Sequence, residues 1–208
     1  MRDKLKGKRI MVWTFMGNAR MYEALRDYGD RIDTIGLFSF KVDKTGTITE
    51  SGVAISNMLT YINKWPHIRW LLTVANDGAN SIFKALRDNT DGAQDKFCSE
   101  LVRIMEKYPW CSGVDIDLEK GDDYSTREAS TAMFAHIYIT VKAYDPTKEM
   151  NICLPGMTSV NGSVGGENWC VYGDLDKYCD IQYFLSPLPQ RTLPVVFSLK
   201  SSRRLIIS

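Results

Sequence analysis

The chain has 208 residues, 44% hydrophobic and 25% charged, the composition of a soluble globular protein long enough for one sizeable domain. Its 26 basic and 25 acidic residues leave a formal net charge of +1, which favours neither nucleic acid nor a membrane as main partner and suits a neutral substrate. Five cysteines stand without C-x-x-C spacing beside only two histidines, which argues against a zinc-type cluster and for reduced thiols in a protein made in the cytoplasm.

The N-terminal "MRDKLKGKRIMVWTFMG" joins a basic start to a short apolar run that breaks early, with no A-x-A-like site after it, so no cleaved leader is expected. No apolar stretch approaches the length of a bilayer span. A first strand is predicted over "KRIMVWTFM", where Trp13 and Phe15 alternate with Val12 and Thr14, so that one pair faces inward. A helix from Ala19 to Tyr28 leads to a second strand, "DTIGLFSFKV", carrying Phe40 near its end. A helix from Val53 to Lys64 precedes the third strand, "IRWLLTVAN". A long helical stretch from Ser81 to Tyr108, interrupted near Asn89 to Gly92, precedes the fourth, "WCSGVDIDLE". The helix from Ser125 to Ala143, the strand "MNICLPGMT", a weaker helix near Asn168 to Lys177 and the strand "YCDIQYFLS" complete the rhythm.

Strand–helix alternation implies parallel strands joined by right-handed crossovers, in an open doubly wound sheet or a (β/α)8 TIM barrel. No G-x-G-x-x-G follows the first strand and no G-x-x-x-x-G-K-[ST] occurs, so the barrel is the better reading of this α/β chain. It is an incomplete one. About six βα units fill residues 1–186, whereas a full barrel has eight, and residues 187–208 are expected to form an irregular basic tail with three prolines and no acid.

The fourth strand is the informative one. In "SGVDIDLE" the acids Asp115, Asp117 and Glu119 alternate with Val114, Ile116 and Leu118, so one face is acidic and the other aliphatic. In a barrel the aliphatic face packs under the helices and the acids point inward, with Glu119 nearest the C-terminal mouth. Three readings stand side by side: a solvated acidic edge, a carboxylate site for Mg²⁺ or Ca²⁺, and acid catalysis in which a protonated Glu119 donates to a leaving oxygen beside an ionised Asp117. The third is glycosidase chemistry.

The segment Ser112 to Glu119 resembles the D-G-x-D-x-D-x-E signature of glycoside hydrolase family 18, the chitinases and endo-β-N-acetylglucosaminidases, at every fixed position but the first. The resemblance covers roughly residues 8 to 183 and looks closer to the family's cell-wall branch, which includes spore-cortex and bacteriophage tail-associated enzymes. It implies retaining, substrate-assisted hydrolysis of β-1,4 bonds in an N-acetylglucosamine-containing glycan, peptidoglycan or chitin, with no metal and no cofactor. Glu119 would be the acid, Asp117 would hold the substrate's acetamido N–H, and Asp115 would share a hydrogen bond with Asp117. The alternatives are a non-hydrolytic carbohydrate-binding protein on the same scaffold and an inactive truncated fragment; the binding proteins usually lack the acid that Glu119 supplies here.

Substrate contacts are expected from Trp13 and Phe40, from Asn76 and Asp77, which stand where the family carries S-x-G-G, from Met157, and from Tyr183 in place of the family's M-x-Y-D tyrosine. For the tryptophans and for Met157 core packing is the competing explanation. His67 and His136 are expected to be structural. A monomer is expected, with no nucleic-acid or membrane partner.

Overall fold

The computed structural model describes residues 10–14, 19–50, 58–119, 126–155, 172–185 and 196–199. In chain order the elements are β1 (Ile10–Thr14), α1 (Ala19–Tyr28), β2 (Thr34–Val42), β3 (Ile48–Glu50), α2 (Met58–Lys64), β4 (Arg69–Ala75), α3 (Asn80–Arg87), α4 (Ala93–Lys107), β5 (Gly113–Asp117), α5 (Arg127–Tyr144), β6 (Glu149–Pro155), α6 (Tyr172–Leu175), β7 (Ile181–Leu185) and β8 (Val196–Leu199). All six predicted strands are present, and the long helical stretch divides into α3 and α4 near Asn89 to Gly92 as the sequence suggests. Among the described residues no helix is long and apolar enough to cross a membrane.

Strands β1, β2, β4, β5, β6 and β7 are parallel neighbours in that order. β8 runs antiparallel between β7 and β1 and closes the ring, while β3 hangs from β2 as an antiparallel hairpin. The architecture is a partial (β/α)8 barrel. Residues 196–199 of the expected irregular tail are therefore a strand: β7 and β1 each present a row of unpaired backbone groups, and a short antiparallel segment satisfies both edges. The rest of that tail lies outside the described residues.

Two cores follow from the period-two rule. The large one lies between the strands and the helices: Val114, Ile116 and Leu118 pack with Leu101, Ile104 and Met105 of α4 and with Met133, Phe134, Ile137 and Val141 of α5. These helical residues recur at three- and four-residue spacing, which is one helix face. The small core lies inside the ring, where Met11 and Leu71 pack together with Trp13 against them. Below it Arg69 pairs with Glu149 and donates to Thr34 Oγ1 at 2.6 Å, a polar floor at the N-terminal end of the strands.

The hairpin edge is covered by α4. Glu100 accepts from the Ile48 N–H at 3.3 Å and pairs with Arg103 at 2.7 Å, and Arg103 in turn donates to the Ile48 carbonyl at 3.2 Å. Both backbone groups of Ile48 are satisfied by side chains instead of another strand.

Gly113, which opens the acidic strand, has a φ of +148°, and a Cβ there would lie 2.0 Å from the Glu149 carbonyl oxygen of β6. Backbone cannot step aside as a side chain does. Gly113→Ala is expected to cost more than about 2 kcal/mol, by strain and by separating β5 from β6. Urea denaturation followed by circular dichroism measures this.

Candidate active site

The acids of β5 rise along the inner face of the barrel. Asp115 is fully buried, Asp117 is 7% exposed, and Glu119 is half-buried just past the strand's end. Asp115 is held by three other strands. Its Oδ2 accepts from Trp13 Nε1 of β1 at 2.8 Å and from Thr73 Oγ1 of β4 at 2.9 Å, and the thiol of Cys153 on β6 lies 3.4 Å from its Oδ1.

Burial is the largest influence on Asp115 and pushes its carboxyl above the usual aspartate range; the bonds from Trp13, Thr73 and Cys153 pull it part of the way back. Cys153 is pushed well above the normal thiol range by burial, then by the charges of Asp115, Asp117 and Glu119. It is a neutral S–H donor.

Glu119 is positioned by Asn76. β4 and β5 pair as far as Ala75 with Asp117, and the Asn76 N–H reaches the Asp117 carbonyl at 3.4 Å. The Asn76 carboxamide then continues the ladder: Oδ1 accepts from the Glu119 N–H at 3.0 Å and Nδ2 donates to the Glu119 carbonyl at 2.9 Å. An amide side chain mimics a peptide unit, so the backbone of Glu119 is fixed after regular pairing has ended. Asn76 is 1% exposed, so it does not line the mouth as the sequence reading has it; its carboxamide is committed to Glu119, to the Gly78 N–H and to the Ala79 carbonyl. Asp77 is exposed at the rim, in a left-handed turn with a φ of 49°, and pairs with Lys41 at 2.6 Å.

Phe40 is a second correction. The register of β2 on β4 slips between Phe38 and Phe40, so Phe38 aligns with Thr73 but Phe40 aligns with Val74. The extra residue, Ser39, reverses the alternation. Phe40 is turned outward into the large core, 1% exposed and edge-on to Tyr108 at 6.0 Å between ring centroids. Phe38 takes the inward position, and Lys41 follows it on the register row of Ala75 and Asp117. Sequence reasoning missed Phe38, Thr73 and Cys153; the alternation Thr34, Gly36, Phe38 is the signal that identifies the inward set of β2.

Trp13 faces inward, but its indole N–H is bound to Asp115, so it belongs to the carboxylate's support. Tyr183 stands in register with Cys153, which places its backbone on the row next to the acids. Met157 lies outside the described residues. Trp65 and Trp70 are core residues and Trp110 packs against Tyr108. His67 meets the Gly29 carbonyl at 3.1 Å and His136 meets Gln94 at 2.8 Å, both structural contacts. Among the described residues no group of three or more His, Cys, Asp and Glu side chains is arranged to hold a metal ion.

No protein-family model and no curated protein matches this sequence. Solved structures do match its fold. A chitinase from Chromobacterium violaceum ATCC 12472 superposes with a TM-score of 0.70 at 17% identity, over 85% of this chain and 56% of its own. The spore cortex-lytic enzyme SleL of Bacillus cereus gives 0.68 at 16%, over 86% and 42%. SleL of Bacillus megaterium QM B1551 gives 0.71 at 15%, over 90% and 44%. The fold is that of the barrel in these chitinases and cortex-lytic enzymes, and the chain spans about half the length of the proteins it matches.

Two predictions follow from this geometry. Asn76→Ala removes both tethers on Glu119, and any turnover that depends on the acid is expected to fall about 100-fold with circular dichroism unchanged. The second concerns pH. Because the folded-state pKa of Asp115 is raised, its contribution to stability is complete below the unfolded value of about 3.9 and is lost as pH rises through the folded value. Asp115→Asn stays neutral and keeps one oxygen for Trp13 and Thr73. Its urea midpoint should gain on the wild type as pH rises from about 4, and a constant difference would refute the assignment.

Proposed function

We propose that the protein is a glycoside hydrolase that cleaves β-1,4 bonds of an N-acetylglucosamine-containing glycan, with retention of configuration and with the substrate's own acetamido group as nucleophile. The observation that carries this reading is the inward row Asp115, Asp117 and Glu119 at the C-terminal end of one barrel strand, with its innermost member buried and held by Trp13, Thr73 and Cys153. Active sites of such barrels are built at that end. The fold shared with chitinases and cortex-lytic enzymes supports the same class.

All three acids rise from one strand and so stand on one side of a sugar seated at the mouth. A retaining mechanism with two carboxylates needs a second one about 5 Å from the first as nucleophile on the other face of the ring. Here the acetamido oxygen of the sugar takes that part. Glu119 gives its proton to the glycosidic oxygen as the bond to the anomeric carbon breaks, and the acetamido oxygen bonds to that carbon, forming an oxazolinium ion. Asp117, ionised, accepts from the acetamido N–H and balances the positive charge. Water then attacks the anomeric carbon as Glu119 takes its proton, the bond from that carbon to the acetamido oxygen breaks, and the oxazolinium ring opens with the configuration of the sugar retained. Asp115 and its donors hold the row in place. Peptidoglycan is preferred to chitin as the natural polymer through the likeness to the cortex-lytic enzymes.

Release of fluorophore from a chitobiose or chitotriose glycoside tests the reading. Wild-type turnover reduced by about 1,000-fold or more in Glu119→Gln supports it. A folded protein that binds chitotriose without cleaving it would establish a carbohydrate-binding protein instead.

A further inference from the structure

Among the three donors that hold Asp115, the thiol of Cys153 is the weakest and stands apart from the other two. Cys153 is 3% exposed on the inner face of β6, one residue beyond the register pair Ile116–Ile152, and so level with Asp117. Its sulfur nevertheless reaches back to Asp115, 3.4 Å from Oδ1 and 3.6 Å from Oδ2. The two carboxylate oxygens are unequally served. Oδ2 has a full N–H and a full O–H donor in Trp13 and Thr73, whereas the thiol is the one donor to Oδ1 among the described residues. A carboxyl with both strong donors on one oxygen is free to pivot about that oxygen unless the other is held as well.

We propose that Cys153 is a positioning residue for the hydrolytic row: its S–H donates to Asp115 Oδ1, stops the carboxyl from pivoting toward Asp117 and favours its ionised form. The inference rests on the reading of this row as the reacting one. Among the described residues the titratable groups facing the thiol are Asp115 and Asp117 of β5 and Glu119 just beyond it, all acidic; Trp13 of β1 and Thr73 of β4, which share Asp115 with it, carry no charge. A thiolate at this position would face three carboxylates, so the sulfur keeps its proton and acts as a donor only. Burial and the same charges push its ionisation far above the normal range, which also makes it a poor target for oxidation or alkylation while the barrel is closed.

The roles of donor and filler separate in two variants. Cys153→Ser keeps a donor, and a stronger one, at nearly the same volume; Cys153→Ala keeps neither the donor nor the sulfur. The carboxyl ¹³C resonance of Asp115, assigned by its loss in Asp115→Asn, is titrated in wild type and both variants. Removing the donor from the ionised form should raise the Asp115 midpoint in Cys153→Ala by about half a unit or more, and Cys153→Ser should titrate at or below wild type. The acidic limb of kcat/KM is expected to move the same way. Equal midpoints in all three proteins, or equal rises in Ala and Ser, would overturn the proposal and leave Cys153 a space-filling residue. If Cys153→Ala does not fold, Cys153→Ser against wild type decides: a midpoint above wild type overturns the donor role. The titration needs no turnover, so a displaced midpoint without hydrolysis refutes the hydrolase reading alone, and hydrolysis with an unmoved midpoint refutes this inference alone.

Discussion

A carboxylate with no exposure to solvent is among the costliest groups a protein can bury, and Asp115 sits at the centre of this barrel. Its retention requires donors aimed at it from several directions. A single strand or hairpin cannot supply them, because side chains of one strand project along it and away from one another. β1, β4 and β6 each contribute one, and they converge only because the sheet curls into a ring. Close approach is needed as well: a Cβ on Gly36 would stand 2.5 Å from the Trp13 ring and 2.8 Å from Thr73 Oγ1, so the absence of a side chain on β2 makes room for two of the three donors.

Closure of that ring rests on a short strand. Six parallel strands leave one open edge on β1 and one on β7, and β8 pairs with both in the antiparallel sense, through Ile10 and Met11 on one side and through Gln182 and Tyr183 on the other. An edge needs only backbone partners, so a segment of four residues is enough to occupy the gap.

The irregularities of the barrel fall around the acids. The bulge in β2 turns Phe40 into the outer core and carries Lys41 to the rim, where it meets Asp77. The exit of β4 replaces backbone pairing with the Asn76 carboxamide, which holds Glu119 beyond the last regular register pair. The bulge shifts regular pairing and the carboxamide takes over from it near the C-terminal mouth, where a reacting group has to leave the ladder and still be held. They are the local means by which a periodic sheet presents an aperiodic site.

The alternation of acids with Val114, Ile116 and Leu118 determined, without any structure, which face of the fourth predicted strand turns inward and which packs under the helices. The order of strands and helices determined a parallel α/β sheet in the same way, because both signals are local and follow from periods of two and of 3.6 residues, and the lack of a nucleotide-binding motif chose the barrel over the open sheet. What lay beyond the sequence depended on pairing between distant segments. Trp13 stands 102 residues from the carboxylate it serves, Thr73 stands 42 and Cys153 stands 38, and nothing in a local period relates them. The slip at Ser39, the role of Asn76 and the strand at Val196–Leu199 are likewise decided by which neighbour each backbone group finds. A strand's own residues set its faces; the partner across the hydrogen bonds sets its register, and only the closed sheet contains both.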